Sequence, residues 1–125
     1  MVRIGTLNIR TAWHGNLEAA TKGMEEMGLD IAILTDTRLT NDKHMTFSYG
    51  YEVYATQSES ASIGGVALCV RWGQGRGDKW EVEDWTKYSQ NACACTFILG
   101  NIKIWLIGVY LPPSDGNGEG LWALT

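Results

Sequence analysis

No stretch of this chain approaches the ~18 to 20 consecutive apolar residues of a membrane span, so no membrane partner is implied. The first residues, Met-Val-Arg-Ile-Gly-Thr, also lack the apolar run of a secretory signal, and the expected compartment is intracellular. Cysteine is scarce. Cys69, Cys93 and Cys95 are an odd number at spacings that match no disulfide framework, and all three lie in apolar segments. On a strand, Cys93-Ala-Cys95 turns both thiols to one face, but no nearby pair of Cys or His completes a tetrahedral zinc site. Reduced thiols in a core are the expectation.

Excess basic charge is missing too. Ten Lys and Arg against 14 Asp and Glu leave a formal net charge of −4, and hence no global positive field for phosphates. A local patch of Arg71, Arg76 and Lys79 around residues 73–77 is one alternative, although a solvated turn accounts for the same residues. That Gly-rich segment opens no amphipathic helix after a first strand, which argues against a dinucleotide fingerprint. No repeat, low-complexity tract or charge block divides the chain. What remains is one folded domain, or part of one: 125 residues, 45% hydrophobic and 19% charged.

The N-terminal third has a clear order. Val2 to Ile9 is rich in β-formers and runs into a polar loop. Asn16 reads as a helix cap. Leu17, Ala20, Met24 and Met27 then recur on one face, Glu18, Lys22, Glu25 and Glu26 occupy the rest, and Gly28 stops the helix. Ile31-Ala-Ile-Leu34 is unbroken apolar sequence, which predicts a strand covered on both faces. Strand, helix and strand form a βαβ unit whose parallel strands end at the same sheet edge, with Asn8 and Asp36 at those ends.

Thereafter the pattern is strands without helices: Tyr49 to Ala55, Val66 to Trp72, Trp80 to Trp85, Cys93 to Leu99 and Ile102 to Leu111. Gly100-Asn101 between two apolar runs predicts a two-residue type II′ hairpin. In the last strand Ile102, Ile104, Leu106, Gly108 and Tyr110 share a face, and Pro112-Pro113 ends the ladder. The fold class is α/β, with one mixed sheet and an N-terminal βαβ unit.

Ligand sites in α/β sheets gather at the carboxyl ends of strands, where this sequence puts Asn8, Asp36 and Tyr110. An amide, a carboxylate and a phenol together suit a hard divalent cation and a phosphate. The plainer alternative is that Asn8 and Asp36 cap loops and Tyr110 packs.

Four blocks decide between these readings. Ile4-Gly-Thr-Leu-Asn-Ile-Arg10, Asp30-Ile-Ala-Ile-Leu-Thr-Asp-Thr-Arg38, Gly64-Gly-Val-Ala-Leu-Cys-Val-Arg71 and Ile104-Trp-Leu-Ile-Gly-Val-Tyr-Leu-Pro-Pro113 occur in one order and cover most of the chain. Together they resemble the endonuclease/exonuclease/phosphatase superfamily, within it most nearly the endonuclease domains of non-LTR (LINE-type) retrotransposons. The resemblance implies half of a four-layered α/β sandwich and a Mg²⁺- or Mn²⁺-dependent phosphodiesterase acting on DNA. It assigns Asn8 to the phosphate and metal site, Asp36 to the metal and Tyr110 to the scissile phosphate. A nuclear destination is implied by the resemblance alone.

The sequence departs from that family in two ways. Asp36 stands where the family has Glu, a side chain shorter by one methylene, or about 1.5 Å of reach. The family's later blocks, an Asp-x-Asn motif and a terminal Asp-His pair, would follow Pro113. Asp115-Gly-Asn117 only mimics the first, and His14 and His44 read as surface loop residues. Residues 1–125 are therefore expected to be a truncated domain that needs its C-terminal half as a partner and is inactive alone. Folded alone, it is expected to leave several of Val66, Leu68, Phe97, Ile104, Leu106 and the tryptophans in water. The alternatives are a phosphatase of the same superfamily acting on a small phosphoester, and a degenerate non-catalytic fragment.

Overall fold

The computed structural model describes residues 2–13, 15–40, 42–46, 50–58, 60, 62–71 and 80–111. The polypeptide opens with strand β1 (Ile4–Asn8), helix α1 (Asn16–Met27) and strand β2 (Ile31–Thr35). β1 and β2 pair in parallel, Ile4 opposite Ile31 and Asn8 opposite Thr35, as a βαβ unit requires. Leu17, Ala20, Thr21 and Met24 are the buried stripe of α1, whereas Met27 is exposed at its end. The cap is Gly15 with left-handed backbone, not Asn16, whose side-chain amide instead donates to the Ile9 carbonyl. At the other end Gly28 N–H meets Glu25 O and Leu29 N–H meets Met24 O, a Schellman stop.

Six further strands follow: β3 (Lys43–Thr46), β4 (Tyr51–Ala55), β5 (Val66–Arg71), β6 (Glu81–Ser89), β7 (Ala92–Leu99) and β8 (Ile102–Val109). They do not join one mixed sheet. A five-stranded sheet runs β1-β2-β5-β4-β3, antiparallel except for its first pair, and β6-β7-β8 form a second, wholly antiparallel sheet. The reason lies in β5, buried along its whole length. Its Ala67 and Cys69 face α1, while Val66, Leu68 and Val70 meet the second sheet. The class is thus α/β, in three layers: helix, mixed sheet, antiparallel sheet.

This arrangement reverses the expected exposure. Val66, Leu68 and Phe97 are fully buried, and Ile104 and Leu106 pack against them, because the second sheet covers the inner face of the first. Gly108 packs close on the first sheet: a Cβ there would lie 2.9 Å from Leu68 Cδ2 and 3.0 Å from Val66 Cγ2. Apolar surface persists on the outer side of β8, where Trp105, Ile107 and Val109 are exposed.

Other strand ends differ from expectation. β3 places His44 on a strand at the edge of the larger sheet rather than in a loop, while His14 lies outside the described residues. β6 continues past Trp85 to Ser89 by absorbing a bulge at Asp84, whose φ is 57°. The hairpin between β7 and β8 forms as predicted, Leu99 opposite Ile102, with positive φ at Gly100, the first central residue. Arg71 belongs to no surface patch. It is buried, ion-paired to Glu25 at 2.8 Å, bonded to Leu29 O and Tyr51 Oη, and stacked over the Tyr51 ring. Arg76, Lys79 and Asp115 to Asn117 lie outside the described residues. Among the described residues, no helix is long and apolar enough to cross a membrane.

The three thiols are packed, Cys69 in the helix-side core and Cys93 and Cys95 between the sheets. Burial raises the Cys69 thiol and pushes Cys93 and Cys95 up to about 12. At pH 8 a disulfide reagent should therefore react with none of them in the folded protein and with all of them in denaturant. Rapid labelling of any one under native conditions contradicts this packing.

Candidate functional site

The carboxyl ends of β1 and β2 open on a cleft of about 370 Å³ lined by Asn8, Arg10, Asp36, Arg38 and Tyr110, together with Ser62, Ile63 and Leu111. The three residues singled out from the sequence thus line one space. Asn8 closes β1, Asp36 follows β2, and Tyr110 follows β8 of the other sheet. A second cavity, about 190 Å³, lies between α1 and the β1–β2 pair, but among residues such as Leu7, Ala20, Met24 and Leu34 it has no ionisable group. It is a packing gap.

The backbone around the cleft is unusual. Four non-glycine residues among those described have positive φ, and three of them line it: Arg10 at 59°, Asp36 at 59° and Arg38 at 57°. A left-handed conformation costs an L-residue roughly 1 to 2 kcal/mol, so surrounding bonds must hold it in place. For Asp36 and Arg38 the Gly64-Gly65 segment supplies them. Asp36 N–H and Thr37 N–H donate to Gly65 O, Arg38 N–H donates to Gly64 O, and Gly64 N–H donates to Asp36 Oδ1 at 2.9 Å. Asn91, in the turn between β6 and β7, ties the second sheet to this clasp: its Oδ1 accepts from Gly65 N–H and its carbonyl from Tyr110 N–H.

Asp36 is buried and engaged on both oxygens. Arg38 Nε donates to Oδ1 at 3.2 Å and Nη2 to Oδ2 at 2.8 Å, a bidentate ion pair in which the Arg38 side chain keeps 28% of its surface exposed. Burial pushes the Asp36 carboxyl up, but the bonds from Arg38 and Gly64 and the charges of Arg38 and Arg10 outweigh it and hold the pKa below its ordinary 3.8. Burial, then the Asp36 charge, raise the Tyr110 phenol above its ordinary 10 against the opposing pull of Arg38, so it stays protonated near neutrality. Asn8 Oδ1 accepts from Arg10 N–H at 3.1 Å.

Arg10 and Arg38 were not assigned a role from sequence, and neither were Gly64, Gly65 and Asn91. Arg38 sits two residues past Asp36, but only the left-handed turns at both positions fold its guanidinium back onto the carboxylate. The metal that the resemblance implies does not fit the described residues as they stand. Their one carboxylate at the cleft is occupied by Arg38, and among the described residues no group of three His, Cys, Asp or Glu side chains could hold an ion.

No family model and no curated protein matches the sequence. Among solved structures, an AP endonuclease from Archaeoglobus fulgidus is similar, with a TM-score of 0.54 and 21% identity over 84% of this chain. The match spans 40% of that enzyme's chain. At this identity the likeness establishes the fold alone, an α/β architecture similar to that part of the AP endonuclease.

Two measurements test the clasp. A Cβ on Gly65, at φ 92°, would lie 2.5 Å from Thr37 Oγ1 and 3.3 Å from Arg38 N, so Gly65→Ala should cost about 2 kcal/mol or more in denaturant unfolding. Gly100→Ala, at φ 58° with nothing within 4 Å, should cost only about 1 kcal/mol. Equal losses refute the close approach. For Asp36, a lowered folded pKa means that its contribution is fully present above 3.8 and is lost as pH falls through the folded value. The acid limb of stability should flatten in Asp36→Asn, and an unchanged limb speaks against the pair.

Proposed function

We propose that this chain is part of a phosphodiester-hydrolysing nuclease, in which it supplies the phosphate-facing half of the active site. The observation that carries this reading is the convergence of Asn8, Asp36 and Tyr110 with two arginines on strained backbone at one cleft. Strain of this kind concentrates at ligand sites, because a loop under no such demand relaxes into ordinary conformations. The likeness in fold to an AP endonuclease supports it.

The chemistry is in-line attack of water on phosphorus, with the arginines set against charge on the phosphate oxygens and the Tyr110 hydroxyl donating to one of them. No described group at the cleft serves as a base near neutrality. Arg38 holds both oxygens of Asp36, and the Tyr110 phenol, raised above its ordinary value, stays protonated, so neither is placed to accept the water's proton. In this reading the activating group comes from a C-terminal half of the domain, the proposed partner of this chain, and as long as Arg38 holds Asp36, Mg²⁺ or Mn²⁺ enters only with ligands from there. The finer assignment, a retroelement DNA endonuclease working in the nucleus and inactive as this chain alone, rests on the four sequence blocks. The closed Asp36–Arg38 pair favours a second reading, a non-catalytic module that binds phosphate without cleaving it.

The test combines DNA binding, by anisotropy of a labelled duplex, with nicking of supercoiled plasmid in Mg²⁺ or Mn²⁺. The folded chain should bind duplex, lose about tenfold in affinity on Asn8→Ala or Tyr110→Phe, and leave the plasmid intact. Nicking abolished by Asn8→Ala and Asp36→Ala would show a complete site and overturn the half-site reading. Hydrolysis of a small phosphoester without DNA binding selects a phosphatase.

A further inference from the structure

We propose that Arg38 occupies, as a permanent cation, the place at Asp36 where a divalent metal ion would sit, and that the cleft binds a phosphate group through its own donors without a metal. This inference rests on the phosphoester reading above and gives it a specific ligand set.

Hydrogen-bonding polarity makes the case. A metal ion needs oxygen lone pairs, whereas a phosphate needs N–H and O–H donors. The cleft is lined with donors. Asn8 turns its oxygen to the backbone N–H of Arg10 and has two amide N–H groups to offer a ligand. Arg38 spends two of its N–H groups on Asp36 and has three of its five left. The Arg10 guanidinium makes no hydrogen bond among the described residues, and its charge reaches Asp36. Tyr110 brings a hydroxyl from the opposite sheet.

The acceptor side is almost spent. Asp36 takes three hydrogen bonds, two on Oδ1 and one on Oδ2. For Mg²⁺ to bind there at about 2.0 to 2.1 Å in octahedral geometry, the guanidinium would have to leave. Charge points the same way, since two guanidinium groups against one carboxylate leave the cleft net positive before any ligand enters. The carboxylate thus acts as a positioning residue. Buried and fixed by Gly64, it presents the arginine fork in one orientation, and a fork already in place loses less conformational freedom when an anion arrives.

The experiment uses the purified chain, inorganic phosphate and Mn²⁺, without nucleic acid. Phosphate binding is measured by calorimetry in EDTA, and Mn²⁺ binding by loss of the free-ion electron paramagnetic resonance signal. Wild type should bind phosphate in EDTA and leave millimolar Mn²⁺ free. Arg38→Ala should weaken phosphate at least tenfold and, with Asp36 released, bind Mn²⁺ at least tenfold more tightly than wild type. Arg10→Ala leaves the Asp36–Arg38 pair intact, and should weaken phosphate without admitting Mn²⁺; thermal melts confirm that each variant is folded. Mn²⁺ binding of equal strength in wild type and Arg38→Ala, or phosphate binding only when Mn²⁺ is present, overturns the inference. Its failure is distinct from failure of the nuclease reading: phosphate bound in EDTA with no duplex binding keeps this proposal and removes the other, and duplex binding that requires Mn²⁺ does the reverse.

Discussion

The Asp36 carboxylate is the point on which the site end of this molecule is organised. It receives Gly64 from the segment before β5 and Arg38 from its own loop, and the backbone N–H groups of residues 36 to 38 are locked to Gly64 and Gly65. Three features meet at this charge: the left-handed turns at 36 and 38, the guanidinium they aim, and the Gly64-Gly65 segment that Asn91 links to the other sheet. A buried carboxylate with one partner would be costly to keep. With a bidentate arginine and a backbone amide its desolvation is offset, and the loop gains a single geometry.

Much of the scaffold was legible because its signals are local. Helix α1 follows from apolar spacing and a glycine stop, the hairpin from Gly100-Asn101, and β2 from an unbroken apolar run that turned out to have α1 on one side and β8 with the rest of the second sheet on the other. The convergence of Asn8 with Asp36 follows from the parallel pairing that a crossover imposes.

What escaped the sequence depends on partners far along the chain. Arg71 looked like surface charge beside a Gly-rich loop, yet its burial rests on Glu25 and on Leu29, contributed by α1 and the link that follows it. The division into two sheets is decided by which strands find edges to pair with, and alternation within a strand is silent on that. Arg10 and Arg38 were invisible as site residues for another reason. Positive φ is common for glycine and rare for arginine, so residue type argued against the very turns that bring these side chains to the cleft.

Gly108 lies two residues before Tyr110 on the strand that leads to the cleft, packed close against Val66 and Leu68 of the other sheet. A hydrogen atom in place of a side chain therefore works as a spacer gauge for the site. One wall of the cleft, Asn8 to Arg38, is carried by one sheet and the Tyr110 wall by the other, and the contact of Gly108 with Val66 and Leu68 lets the two sheets sit close beside it. Each sheet keeps its own ladder whatever the gap. A single added methyl group here would press on Val66 and Leu68 and bear on the spacing of the phenol from the arginines, while the hydrogen-bonded ladder within each sheet stays as it is.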